Sequence, residues 1–260
     1  MKLSELLNLL ENIGPLSISD EFCKKCGFYD NSGILVDSGE EITGVLFSLD
    51  LSAKALEEAK KLGFNAIVTH HPAIFGAISS VSVNQSRTSL IAECLKSGIS
   101  VISMHLNFDA APEGIDYHLM QGLGGDKGKA MIMLSGGAYG RVYDVESLKL
   151  PDYVEFIKQN FGTDKVICYG ESDKIIKRVS SFCGAGCDDA AINFAAAEGA
   201  DVLVSSDMKH HHIAALLSRG ISVIILTHYA SENYGFNKIY GKIIEKLSVP
   251  AAYFSDAALL

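Results

Sequence analysis

One short string occurs twice in this chain of 260 residues. Gly98-Ile99-Ser100-Val101-Ile102 leads to His105, and Asp109 lies one helical turn beyond that histidine. Gly220-Ile221-Ser222-Val223-Ile224 leads to His228, and Glu232 follows at the same spacing. Upstream, Asn65-Ala66-Ile67-Val68-Thr69-His70-His71 pairs with Ala200-Asp201-Val202-Leu203-Val204-Ser205-Ser206-Asp207, each after a helical pattern closed by glycine. Short apolar runs alternating with helical patterns predict a mainly parallel sheet. The chain therefore reads as α/β, with two similar domains of mixed, mainly parallel sheets related by an internal repeat. Open α/β sheets bind ligands beyond the carboxyl ends of their strands, and here those ends carry imidazoles and carboxylates.

Taken in order, Leu3, Leu6, Leu7 and Leu10 have helical spacing, stopped by Gly14-Pro15. A polar connection runs to a turn at Tyr29-Asp30-Asn31-Ser32-Gly33. Strands are expected over residues 44–50, 65–69 and 99–104, with helices over 53–62, capped by Ser52 and Gly63, and over 89–96. Gly122 to Gly128 lacks a preceding strand, so it reads as a linker rather than a phosphate loop. Domain one is then expected over 1–124 plus 234–260 and domain two over 125–233, with a dinuclear metal site in the cleft between them. Pro151 opens a helix through Asn160. Cys183-Gly184-Ala185-Gly186-Cys187 is expected to pack tightly, because Asp188 and Asp189 would repel an anion there.

Composition excludes some classes. The net charge of −9 disfavours non-specific nucleic-acid binding. No apolar run reaches membrane-span length, and the N-terminus lacks a signal-peptide pattern. The six cysteines have no second pair at zinc spacing, which suggests reduced thiols, mostly in the core, and a cytoplasmic protein.

Ligand count sets the chemistry. His70, His71, Asp109, His228 and Glu232 are three imidazoles and two carboxylates. A single catalytic zinc takes three protein ligands and keeps one position open, so five donors suit two metals with a shared carboxylate. Mixed N and O donors suit Zn, Fe, Mn or Ni. Neighbouring side chains on an extended strand point apart, which assigns His70 and His71 to different metals. Ser231 is expected to cap a helix starting at Glu232, with Glu232 bridging. His118 reads as a helix-surface residue.

Four segments carry a family resemblance: Tyr29 to Gly33, Thr69-His70-His71-Pro72, His105-Leu106-Asn107-Phe108-Asp109 and Thr227-His228-Tyr229-Ala230-Ser231-Glu232. The chain resembles the dinuclear-metal, hexameric family related to NGG-interacting factor three, whose members are often called GTP cyclohydrolase I type 2 homologues. Ser206 and Thr227 stand where glycine is usual, and Tyr29 where tryptophan is usual, but no ligand is lost. The resemblance implies metal ligands at His70, His71, Asp109, His228 and Glu232, and a ring-shaped homo-hexamer built as a trimer of dimers. It also implies that longer members carry an inserted middle domain, for which this chain has no room. His105 becomes a near-site residue, and His211 a pocket-lining one; both are candidate catalytic groups. The function expected is a metal-dependent hydrolase in which an acidified water attacks a purine nucleotide. The alternatives are a two-metal phosphoesterase or nuclease, and a non-enzymatic metal-binding ring that binds partners.

Overall fold

The computed structural model describes residues 1–86 and 88–260. Helix α1 (Leu3–Glu11) buries Leu3, Leu6 and Leu10, the expected face. Residues 16–26 correct the reading of a polar connection, because they form helix α2 (Leu16–Cys26). Its buried stripe is Ile18, Ser19 and Phe22, too narrow to stand out against the polar positions. Its end signals were present: Pro15 precedes it, and Gly27 follows at φ 70°. The expected turn at 29–33 gives way at Gly33 to β1 (Gly33–Val36).

Next come β2 (Val45–Ser48), α3 (Ala53–Leu62), β3 (Ala66–Thr69), α4 (Ser89–Lys96) and β4 (Ser100–Ser103). Ser52 caps α3, accepting from the Ala55 amide at 3.1 Å, and Gly63 closes it in the left-handed region. The chain continues through α5 (Leu106–Ala110), α6 (Ile115–Gly122), β5 (Lys129–Leu134), β6 (Gly137–Lys149), α7 (Leu150–Phe161) and β7 (Val166–Tyr169). It ends with β8 (Ile175–Ser181), α8 (Asp189–Ala197), β9 (Val202–Ser205), α9 (His210–Ser218), β10 (Ser222–Leu226), α10 (His228–Ile244) and β11 (Ala251–Phe254).

Two compact units result. Unit one comprises Met1–Gly114, Leu134–Gly136 and Phe236–Ser255; unit two comprises Ile115–Met133, Gly137–Gly235 and Asp256–Leu260. Unit one holds a sheet of order β1-β4-β3-β2-β11, parallel throughout except for β1 on β4. Unit two holds a sheet of order β5-β6-β8-β9-β10-β7. There β8, β9 and β10 pair in parallel, with β6 and β7 antiparallel beside them. The run β1-β4-β3-β2 thus has its counterpart in β7-β10-β9-β8, the repeat that the recurring string announced. Strands β2, β3, β4 and β9 are buried at every position, as expected when both faces of a parallel sheet are covered. Leu46, Leu56, Ile67, Ile91 and Val101 form the centre of one such core.

Three details differ from expectation. Gly122 to Gly128 lies within unit two and is packed rather than linker-like: a Cβ on Gly125 would sit 2.4 Å from the Tyr143 ring. His118 is buried, with its Nδ1 against Gln121 Oε1 at 2.9 Å, and is not a surface residue. Of the cysteines, Cys94, Cys183 and Cys187 are buried, Cys23 and Cys26 are half-buried, and Cys168 is exposed. Burial pushes the Cys94 and Cys187 thiols up to about 11 and about 12, so neither forms thiolate near neutrality. Among the described residues, no helix is long and apolar enough to cross a membrane.

In unit two, Asp116 is fully buried, 3.0 Å from the Arg141 guanidinium. Burial pushes its carboxyl up to about 6, against the pull of Arg141. The unfolded carboxyl titrates near 4. Between these values the folded state binds more protons, so this group's contribution to stability is complete below about pH 4 and is lost as the pH rises through about 6. Replacing Asp116 by Asn removes the titration. Urea unfolding of both proteins from pH 4 to 7 should show the native chain losing roughly 2 kcal/mol relative to Asp116→Asn. A constant difference across that range would contradict the assignment.

Candidate metal centre

In unit one the chain turns just beyond β3. The amides of His70 and His71 both donate to Leu49 O, at 3.1 and 2.9 Å, and the Thr69 hydroxyl donates to His71 O at 2.8 Å. This turn corrects the expectation that the adjacent imidazoles point apart: their ring centroids lie 4.9 Å from each other. His105, at the end of β4, joins them at 5.1 and 5.8 Å. His70, His71 and His105 each present one ligand atom within a span of 4.8 Å, a geometry that suits a metal ion. Asp109, on α5, brings Oδ1 to 3.4 Å from His70 Nε2. His70 and Asp109 are buried.

Unit two assembles the counterpart. Helix α10 begins at His228, not at Glu232, so Ser231 is not its cap. Thr227 takes that role, accepting from the Ala230 amide at 3.0 Å, while the Ser231 hydroxyl donates to His228 O at 2.9 Å. His228 and Glu232 are therefore neighbours on one helical face, with Nε2 and Oε2 3.1 Å apart. Glu232 is buried. Gly184, at φ 56°, sits directly against this pair: a Cβ there would lie 2.2 Å from Glu232 Oε1 and 3.2 Å from His228 Nε2.

Every one of these imidazoles is held at Nδ1. His70 donates to Met104 O at 2.9 Å, His71 to Asp50 at 2.7 Å, His105 to Asp30 at 2.8 Å and His228 to Asp207 at 2.5 Å. A carbonyl or carboxylate can only accept, so the ring proton sits on Nδ1 and the Nε2 lone pair is directed inward. In the neutral ring, His70 Nε2 and His228 Nε2 then face carboxylate oxygens with lone pair against lone pair. Such an arrangement is favourable only with a positive charge shared between the two atoms, from a proton or a metal ion. The donor set of imidazole nitrogen and carboxylate oxygen fits a divalent transition metal.

The supporting carboxylates are themselves built in. Asp30 accepts from the hydroxyls of Ser19 and Ser32, at 2.5 and 2.6 Å, as well as from His105. Burial alone would raise its carboxyl, but these donors and the His105 charge hold it well below the carboxylate range. Burial likewise pulls His105 down, and the hydrogen bond to Asp30 with the charges of Asp109 and Asp30 takes it above the ordinary imidazole value. Asp207 is the single non-glycine residue with positive φ, 46°, among the described residues. That backbone costs about 1 to 3 kcal/mol, similar to what a charge-assisted hydrogen bond returns.

Of the five expected ligands, His70, His71 and Asp109 lie together in unit one, and His228 and Glu232 lie together in unit two. The anchoring roles of Asp30, Asp50 and Asp207 are not among the sequence-based expectations. The available signal was an aspartate just beyond the strand or at the turn facing each histidine-bearing strand end. His211 is exposed on α9, beside the buried His212, whose Nε2 lies 3.8 Å from Asp189.

Comparison with known proteins shows the family and the fold. The model of the family described as Duf34/NIF3 (NGG1p interacting factor 3) matches residues 1–256. A GTP cyclohydrolase 1 type 2 homolog of Clostridium perfringens is 28% identical over 252 residues, covering 95% of this chain and 93% of that protein. A Helicobacter pylori protein named GTP cyclohydrolase 1 type 2 is 27% identical over 248 residues, covering 94% and 92%. The crystal structure of a Staphylococcus aureus hypothetical protein superposes with a TM-score of 0.84 at 25% identity, covering 98% and 97% of the two chains.

Gly184 offers a direct test of the second half-site. Gly184→Ala forces the Glu232 carboxylate to move and should weaken zinc binding tenfold or more in equilibrium dialysis. Gly199, at φ 68° with open space around it, is the control: alanine there carries the same backbone strain and should leave zinc affinity unchanged. Equal affinities for the two variants would show that Gly184 has no role at the site.

Proposed function

The chain belongs to the Duf34/NIF3 family, and on that premise we propose that it is a metal-dependent hydrolase acting on a purine nucleotide. The observation that carries the reading is the common tautomer of the four imidazoles, each fixed at Nδ1. His70, His71 and Asp109 of unit one and His228 and Glu232 of unit two would hold two ions of the Zn, Fe, Mn or Ni class, the expected dinuclear set. Glu232 would be the shared ligand, since a carboxylate has two oxygens. Ions bound there supply acidified water near neutral pH and polarise the substrate. The anchoring aspartates keep the imidazole donors oriented, and His105, held by Asp30, carries the proton to or from the reacting atoms. The names of the Clostridium and Helicobacter relatives support the choice of a guanine nucleotide as first substrate. The family resemblance further supports a homo-hexamer, which light scattering tests: a particle of one chain mass across working concentrations would contradict it.

Metal content comes first. Elemental analysis of reloaded protein should give two ions per chain, and Glu232→Gln should weaken both, because an amide bridges two cations poorly. A reproducible value of one ion would overturn the dinuclear reading. Activity comes second. Metal-loaded protein incubated with GTP should consume the purine chromophore, and Asp109→Ala should not. Release of phosphate with an intact chromophore would assign a phosphoesterase instead, and absence of both would assign a non-enzymatic role.

A further inference from the structure

Tyr29 and Phe75 in unit one are large aromatic side chains left 58% and 54% exposed. Their rings meet edge to face, 5.9 Å between centroids at 82°. Phe75 also meets His105 edge-on at 6.5 Å, and His105 in turn packs against His70 and His71. The pair is the outer end of a continuous run of rings whose inner end is the imidazole cluster.

Both aromatic residues are fixed from behind. Asn31 Nδ2 donates to Ile74 O at 2.6 Å, which ties the segment bearing Tyr29 to the segment bearing Phe75. Asp30, between Tyr29 and Asn31, is held by Ser19, Ser32 and His105. Exposed aromatic area that is already ordered loses little freedom when a ligand stacks on it. With more than half of each residue's surface exposed, the pair can be reached by a further planar group. The cleft beside His71, lined by Asp50, His71, Pro72, Ala73 and Leu90, measures about 180 Å³. Small-molecule sites are usually about 300 Å³ or more, so this cleft alone does not enclose a nucleotide.

We propose that Tyr29 and Phe75 form a stacking platform that takes the planar heteroaromatic ring of the substrate, a nucleobase, and sets it beside the metal centre. This rests on the hydrolase reading for its substrate but not for its geometry. Stacking recognises the π-face common to all bases, so the platform contributes affinity and placement, while the choice among bases lies elsewhere.

The test is calorimetric titration of metal-loaded protein with guanosine, GTP and inorganic triphosphate. Tyr29→Ala and Phe75→Ala should each weaken guanosine and GTP about tenfold, the scale of losing one stacked aromatic, and leave triphosphate affinity and metal content unchanged. Tyr29→Trp should retain or tighten guanosine binding. Unchanged guanosine affinity in both alanine variants overturns the platform, as does a native protein that binds triphosphate but not guanosine. A smaller particle mass for Tyr29→Ala in light scattering also overturns it, and assigns the pair to a contact between copies of this chain. Guanosine binding that depends on both rings, with no turnover of any nucleotide, keeps the platform and overturns the hydrolase reading.

Discussion

The centre depends on where each imidazole keeps its proton. A histidine whose Nδ1–H is claimed by a fixed acceptor has one remaining nitrogen and one orientation. Met104 O, Asp50, Asp30 and Asp207 provide those acceptors, and each comes from a different part of the chain. The folds of the two units can be read as the means of bringing acceptor and histidine together. In unit one, β2 ends near Asp50, β3 near His71 and β4 near His105, as three adjacent parallel strands. Parallel pairing puts their carboxyl ends on the same side, so short extensions beyond each strand suffice.

Much of this was legible because it rests on local rules. The recurring Gly-Ile-Ser-Val-Ile string marks β4 and β10, and the histidine with its acid one turn later follows both. Ser52 and Gly63 bound α3 as expected. What was not legible depended on tertiary packing. Helix α2 buries a narrow stripe, yet it supplies Ser19 to Asp30. Strands β7 and β11 are short and add to sheet edges whose other members are distant in sequence. The turn that draws His70 and His71 together is set by Leu49 O, a long-range acceptor that no pattern in residues 69–72 reveals. His118 shows the same limit: a polar residue at a helical position carries no sign of the Gln121 partner that accompanies its burial.

The repeat is close in its strands and loose in its chemistry. Where β3 leads into His70 and His71, β9 leads into Ser206 and Asp207. One copy presents donors at that corner; the other presents an anchor for His228. Gly184 accompanies the second arrangement, because the carboxylate it faces leaves no space for a side chain. A duplicated scaffold can diverge in this way at its strand ends while the buried strands keep their pairing.

The order in which the strands pair bears on how the chain matures. In unit one, β2 pairs with β11, so Val45 meets Ala251, far along the sequence. A ribosome delivers β2 long before this neighbour. Until then one edge of an apolar strand has no partner from its own chain, which is the condition under which nascent proteins associate wrongly. Unit two, too, draws its last segment from Asp256–Leu260. The sheet of unit one therefore closes only once β11 has emerged, long after β2, β3 and β4 have been made.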